Sequence, residues 1–417
     1  MFSVNLTKTY KLLLAFLLVQ FIFLPKILME VKAICLLLAV TVLLVMRKNI
    51  CIKKYTYIII IYASWNVISL IHGGMKGYSD EALNRIGVEV IWPICYVILS
   101  WIALGIKEVN IIRKILFIST LGLAILDIVL MISNALGFKI VIEAFNLINL
   151  NPINIVGEGE EHYNIRIDHQ YFYAFLTPYV LISYFDNRKS KFNEQLGLNN
   201  RIVVLTVLLA VCVSFLIGVA GIWLAIMSSI LIYCIKKNIR IINKGNLIKT
   251  ACVLVGLVFA INIFGSVRAE MDGIFYEISN RLLGDEIDSS DLTRIFQARA
   301  MIDSWWENPI IGNGTGTPVY YLRGLWYSGY TANELSYLVI LYQKGIVGLC
   351  AFVAVVYKAQ KRLKSMTEIE YFTTPFSIAM ISFLIPHAFN PYFANISTSW
   401  IVFLPFIISL SEGRLKD

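Results

Sequence analysis

The side chains best suited to hold an anion are Arg166, Arg281, Arg294 and Arg299, with Arg268 and Arg323 beside them. A guanidinium presents a planar fork of donors that matches the oxygens of phosphate or diphosphate. All six lie in polar segments between apolar runs, where pairing with neighbouring acids is the competing account. Groups able to take a proton are few. Glu334 opens an apolar run, where an acid also suits the positive end of a helix. His169 and Asp168 follow an acid-rich stretch at Glu158, Glu160 and Glu161, and His169 reads equally as an exposed loop histidine.

Two further stretches lie between Arg299 and Glu334. Ile310-Ile311-Gly312-Asn313-Gly314-Thr315-Gly316-Thr317 lacks the Gly-Lys-Ser/Thr of a P-loop. Its backbone N–H groups, at Gly312, Gly314 and Gly316, could line a phosphate concavity; a tight turn rejoining a bundle is the alternative. Next come Tyr320, Tyr321, Arg323, Trp326, Tyr327 and Tyr330. Such aromatics either anchor a membrane interface or stack on the apolar faces of sugar rings.

These groups must be positioned by membrane helices. Of the 417 residues 58% are hydrophobic and 15% charged, and the mean hydropathy is +0.72. Soluble domains are nearer 25% charged, so the composition excludes an ordinary soluble enzyme, a disordered chain and a disulfide scaffold. Apolar runs predict an all-α polytopic protein with about twelve spans. They fall near 11–28, 33–46, 55–71, 87–105, 115–132, 170–185, 202–217, 221–235, 250–265, 335–356, 371–388 and 396–411. The division at Gly218 to Ala220 is the weakest, and one long helix there would invert everything downstream.

With the N-terminus inside, most of the 36 basic residues fall in cytoplasmic segments and most of the 27 acidic residues elsewhere. That is the positive-inside pattern, with both termini cytoplasmic. It also accounts for the net charge of +9 without nucleic acid, since the cations are spread over short loops. No signal-peptide cleavage site follows the first apolar run. The seven cysteines avoid the large external loops, so disulfides are not expected, and no pair has zinc-ligand spacing.

The chain reads as one membrane domain, 1–417, with external segments at 72–86, 133–169 and 266–334. The largest lies between the ninth and tenth spans. In it, Ser290 or Asp291 can cap an amphipathic, re-entrant helix whose apolar positions are Leu292, Ile295, Met301, Ile302, Trp305 and Trp306. Arg294 and Arg299 ride on that helix. Within spans, Asp127 is a functional candidate by its location, while Glu89 follows Arg85 by four residues and reads as an i,i+4 ion pair.

The run Leu292-Thr293-Arg294, Ala300-Met301, Asn308 to Gly316, Asn333-Glu334-Leu335-Ser336-Tyr337-Leu338 and Gly345-Ile346-Val347-Gly348-Leu349 resembles the O-antigen ligase/polymerase superfamily. The close likeness covers about 60 residues, and the span layout extends it over the chain. The resemblance implies a GT-C-like glycosyltransferase of the bacterial inner membrane that needs no metal or other cofactor. It would act at the periplasmic face on undecaprenyl-diphosphate-linked oligosaccharides. It also implies that Arg294, and by position Arg166, hold the diphosphate, with Arg281 or Arg299 assisting and Glu334, His169 or Asp168 as base. A polysaccharide chain-length regulator and a flippase would be partners.

Departures favour polymerase over ligase within that superfamily. Ligases carry a His-Asn pair where this chain has Ala332-Asn333, and an arginine in the turn that here reads Gly218-Val219-Ala220-Gly221. A repeat-unit flippase is the alternative outside the enzymes, and it would line a central cavity with charges inside its spans. A solute transporter is disfavoured because the chain shows no internal duplication.

Overall fold

A computed structural model describes residues 6–25, 29–46, 53–100, 106–135, 138, 143, 154–156, 164–186, 199–237, 289–323, 326–330, 334–390 and 396–408. The architecture is helical. Helix α1 is Leu6–Phe23, α2 Met29–Met46, α3 Tyr57–Met75, α4 Ser79–Ile86, α5 Trp92–Leu99 and α6 Ile106–Ala135. Then come α7 Tyr173–Asp186, α8 Asn200–Leu216, α9 Ala220–Lys236, α10 Ser289–Trp305, α11 Ser336–Ser365, α12 Glu370–Leu384 and α13 Trp400–Ile407. Helix occupies part or all of every predicted span except 250–265, which lies outside the described residues.

Among the described residues, five helical stretches are long and apolar enough to cross a membrane: Lys54–Met75, Ser79–Leu99, Ile106–Ser133, Ser336–Ser365 and Thr367–Ala388. Helices α8 and α9 are apolar but shorter. The doubtful division holds. Asn199 caps α8 by accepting from the Arg201 N–H at 3.0 Å. After Leu216, Gly218 turns the chain with φ of 68°, and α9 begins at Ala220.

Three predicted boundaries move furthest. The span expected from 87 starts at Ser79 and continues through a π-helical turn, Gly87–Ile91, into α5. The span expected from 115 starts at Ile106, and the one expected to end at 356 runs to Ser365. Lys and Arg therefore stand on helices where loops were expected. Arg113 is buried with its guanidinium 4.7 Å from the Tyr371 ring centre. Arg362 donates to the carbonyls of Pro405 and Ile408. Long aliphatic stems let such residues extend a helix while the head finds polar partners.

The core centres on α7, whose residues Tyr173 to Ser183 are all buried. A helix apolar on every side belongs inside a bundle. It packs on α12 and α13 through Phe175, Tyr179, Phe372, Phe376, Phe383 and Trp400, with T-shaped ring pairs Phe175–Phe376 and Phe175–Trp400 each at 5.2 Å. Thr177 and Ser214 hydroxyls meet at 2.9 Å between α7 and α8, the kind of interhelical hydrogen bond apolar surroundings favour.

Charged residues are buried within the bundle too. They tie elements together. Asp127 accepts from Tyr173 Oη and pairs with His169 Nε2, each at 2.8 Å. Lys32 donates to the carbonyls of Leu24 and Pro25 at the end of α1.

Two antiparallel hairpins, unexpected from the helical reading, lie in the long loops. Strand β1, Asn154–Val156, pairs with β2, Asn164–Arg166. Strand β3, Val319–Arg323, pairs with β4, Trp326–Tyr330, with Tyr321 opposite Ser328 and Leu322 opposite Tyr327. The five described cysteines are free, and Cys51 and Cys252 lie outside the described residues.

Candidate active site

The glycine-rich stretch makes a wedge. Helix α11 breaks at Gly345, whose φ is 65° and ψ −172°, and the break leaves carbonyls without helical donors. The loop supplies them. Asn313 N–H donates to Tyr342 O and Gly314 N–H to Gln343 O, both at 2.8 Å. In return, Ile346 N–H donates to Pro309 O at 2.9 Å. Ser69 Oγ also donates to Gln343 O, and Trp65 Nε1 to Lys344 O, so α3 closes the other side. Thr315 N–H donates to Ser69 O at 2.9 Å.

Glycine is required because backbones touch. A Cβ on Gly314 would stand 2.4 Å from Gly73 N, and one on Gly312 2.4 Å from Gly345 N. The N–H groups of Gly312, Asn313, Gly314 and Thr315 are thus donated to carbonyls and do not line an anion cradle. Of the two readings of this stretch, the turn that rejoins the bundle fits the geometry.

The wedge carries an ion pair that sequence reasoning misplaced. Glu89 pairs with Lys344 at 3.0 Å, not with Arg85 four residues before it. The π turn at Gly87–Ile91 holds an extra residue, so an i,i+4 spacing across it no longer marks one stripe. Both side chains are largely buried, at 4% exposure for Lys344 and 14% for Glu89. Lys344 stood inside a run read only as part of a span. The available signal was the general one, that a charge in a span needs a partner.

Beyond the wedge, α10 lies across β3 and the start of α11. Its packed face is not the apolar face expected. Gln297 and Met301 are buried, one turn apart, with Val319, Tyr321 and Tyr342. Leu292, Ile295, Phe296, Ile302 and Trp306 are exposed. Residues exposed on the protein can face lipid, so apolar character does not identify the packed side. Arg299 lies among those exposed residues. It is five positions from Arg294, which at 100° per residue puts it on another side of the helix.

Arg294 is on the packed side and meets Glu334. Its Nε donates to Glu334 Oε2 at 2.8 Å. The Glu334 N–H donates to Gln297 Oε1 at 3.2 Å, and Gln297 Nε2 donates to Tyr321 Oη at 3.0 Å. Two of the residues selected from sequence are thereby joined, and buried Gln297, not selected, orders them. The pair is partly open, with 30% of the Arg294 side chain and 42% of Glu334 exposed.

The remaining sequence candidates are spread more widely. His169 is buried on Asp127, in a 3-10 turn Asp168–Phe172 that contacts α1 and α7; it is not an exposed loop histidine. Arg166 ends β2, beside that turn, and of Arg166 and Asp168 only the backbone is described. Arg281 lies outside the described residues. Tyr321 is a core residue, 3% exposed, so it has no face to offer a sugar. Tyr320 and Tyr327 point outward on the other face of the hairpin, their rings 6.5 Å apart. The side chains of Arg323, Trp326 and Tyr330 lie outside what is described.

Residues 205–353 match the family model described as O-antigen ligase. The match runs from α8 into α11 and contains the wedge, Lys344 and the Arg294–Glu334 pair. No curated protein matches the chain. Over these residues, set among helices long and apolar enough to cross a membrane, the chain is similar to the O-antigen ligase family.

Proposed function

We propose that this protein is a polymerase that joins undecaprenyl-diphosphate-linked oligosaccharide repeat units at the periplasmic face of the bacterial inner membrane. The observation that carries the reading is the Arg294–Glu334 pair, a cation and a carboxylate held together and partly exposed where α10 meets the start of α11. Transfer of a glycan from a lipid diphosphate needs both. A hydroxyl at the non-reducing end of the acceptor unit attacks the anomeric carbon of the growing chain. As that bond forms, the bond from the anomeric carbon to the diphosphate oxygen breaks, and the electron pair leaves with the diphosphate. Glu334 takes the hydroxyl proton. Arg294 stabilises the departing charge by directed hydrogen bonds, with Arg166 contributing from segment 133–169 and Arg281 from the same long segment as Arg294.

The ion pair suits exchange between these states. A half-exposed pair contributes only about 0–1 kcal/mol, so an incoming diphosphate can take the guanidinium and leave the carboxylate to act as base. Arg299, facing away from the pair, has no part in this step.

The matched domain carries the name of the ligase, which moves finished chains to lipid A core, and that is the second reading. Ala332-Asn333 in place of the ligase His-Asn pair favours the polymerase. Deletion in the native strain decides between them. Core bearing one repeat unit, with no ladder on a lipopolysaccharide gel, is the polymerase result. Bare core with long polymer stranded on the lipid carrier is the ligase result. An unchanged ladder would overturn both.

A further inference from the structure

A cleft lies at the C-terminal end of α10, whereas the Arg294–Glu334 pair stands near its start. It has a volume of about 450 Å³ and is lined from four segments. The turn after α3 gives Lys76 and Tyr78, the end of α10 gives Asp303 and Ser304 with Glu307 beyond it, the wedge gives Asn313, and the hairpin gives Tyr320 and Tyr327. Its size is within the range of about 300–1,000 Å³ usual for small-molecule sites.

Its position is held firmly. Lys76 Nζ donates to Asn313 Oδ1 at 3.0 Å, Asn308 Nδ2 to the same oxygen at 2.9 Å, and Asn313 Nδ2 to Ser304 O at 2.8 Å. Gly329 lets the Tyr320 ring come close to the opposite strand, since a Cβ there would meet the ring at 2.9 Å. Burial and a hydrogen bond with Tyr320 push the Tyr78 hydroxyl above its ordinary range.

The lining chemistry discriminates. Two carboxylates against one ammonium leave the cleft net negative, so a diphosphate or an acidic sugar is repelled. Carboxylates accept hydrogen bonds from hydroxyls and amines, and tyrosine rings offer flat apolar faces with a polar edge. Asp303 is nine residues from Arg294, about 13 Å along the helix at 1.5 Å per residue, too far to touch the same bond.

We propose that this cleft is a saccharide subsite that holds a non-acidic sugar of the lipid-linked unit, remote from the reacting carbon. The proposal rests on the polymerase reading and adds what sets recognition of the unit. Lipid-linked units from a strain lacking this gene are the probe, extended by the full-length protein in nanodiscs. Asp303→Asn, Glu307→Gln and Tyr327→Ala are each expected to raise KM about tenfold with far less change in kcat, and Tyr327→Trp to restore it. Tyr327 is 71% exposed, so its truncation spares the core. An unchanged KM in all three variants would overturn the subsite while leaving the polymerase reading intact, and so would a fall in kcat with KM unaltered.

Failure of the wild type to extend the units would overturn the polymerase reading alone. Saturation-transfer NMR with the oligosaccharide released from the same lipid then decides for the cleft. Binding lost in Tyr327→Ala supports it, and no binding to wild type or equal binding to both overturns it.

Discussion

Lys344 and Glu89 are ion-paired at 3.0 Å where the broken helix α11 meets the π turn before α5. Thr315 Oγ1 lies 3.4 Å from the same carboxylate oxygen, and the Tyr62 ring centre lies 5.8 Å from Lys344 Nζ. One buried charge pair thus joins the wedge, α3 and two spans. It marks the point from which the loop-side sites are built.

Removing one partner of that pair leaves the other charge buried. Lys344→Met or Glu89→Gln is expected to cost about 3–5 kcal/mol and to show as a large loss of monodisperse protein on heating in detergent. The double variant should be less destabilised than the sum of the two. Additive losses in the double-mutant cycle would mean that the two charges do not interact in the folded protein.

Gly314 and Gly77 separate backbone strain from crowding. Their φ angles are 94° and 93°, but a Cβ on Gly77 meets nothing within 4 Å. Gly77→Ala should cost only the left-handed penalty of about 1–2 kcal/mol. Gly314→Ala adds a clash with α3 and should cost clearly more, by about 1–3 kcal/mol. Equal melting temperatures for the two variants would show that the wedge does not approach α3 so closely.

Arg294 and Glu334 can be tested by exchange. Arg294→Lys keeps the charge and loses the fork, and is expected to lower polymer formation by about 10²-fold. Glu334→Gln is expected to lower it by about 10²–10⁴-fold. The swapped pair Arg294→Glu with Glu334→Arg should retain the fold yet stay inactive, because each role needs its own position. Activity of the swapped variant on lipid-linked units would reduce the pair to a structural contact.

The buried Asp127–His169–Tyr173 cluster should behave as structure. Tyr173→Phe takes one donor from Asp127 and is expected to cost about 1–3 kcal/mol while the protein that folds still makes polymer. His169→Gln with full thermal stability and no polymer would instead make His169 the base.

Much of this was legible in the residues. Apolar runs long enough for hydrocarbon produce helices almost wherever they occur, because backbone groups in lipid must bond within their own segment. The weakest division, at Gly218 to Ala220, was decided by the structure, where Gly218 takes the positive φ that turns the chain between α8 and α9. Arg294 and Glu334 stood out by residue type and by their place in the long loop.

Tertiary structure decided the partners. Periodicity told that α10 is a helix but not which side packs, because lipid-facing and protein-facing surfaces are both apolar, and so Gln297 turned out to be inside and Ile295 outside. Local spacing assigned Glu89 to Arg85, and a single extra residue in the helix gave it to Lys344 instead. The glycines marked a close approach without naming what approached. That was settled by carbonyls freed at Gly345, which donors from the loop and from α3 could satisfy once the bundle had formed.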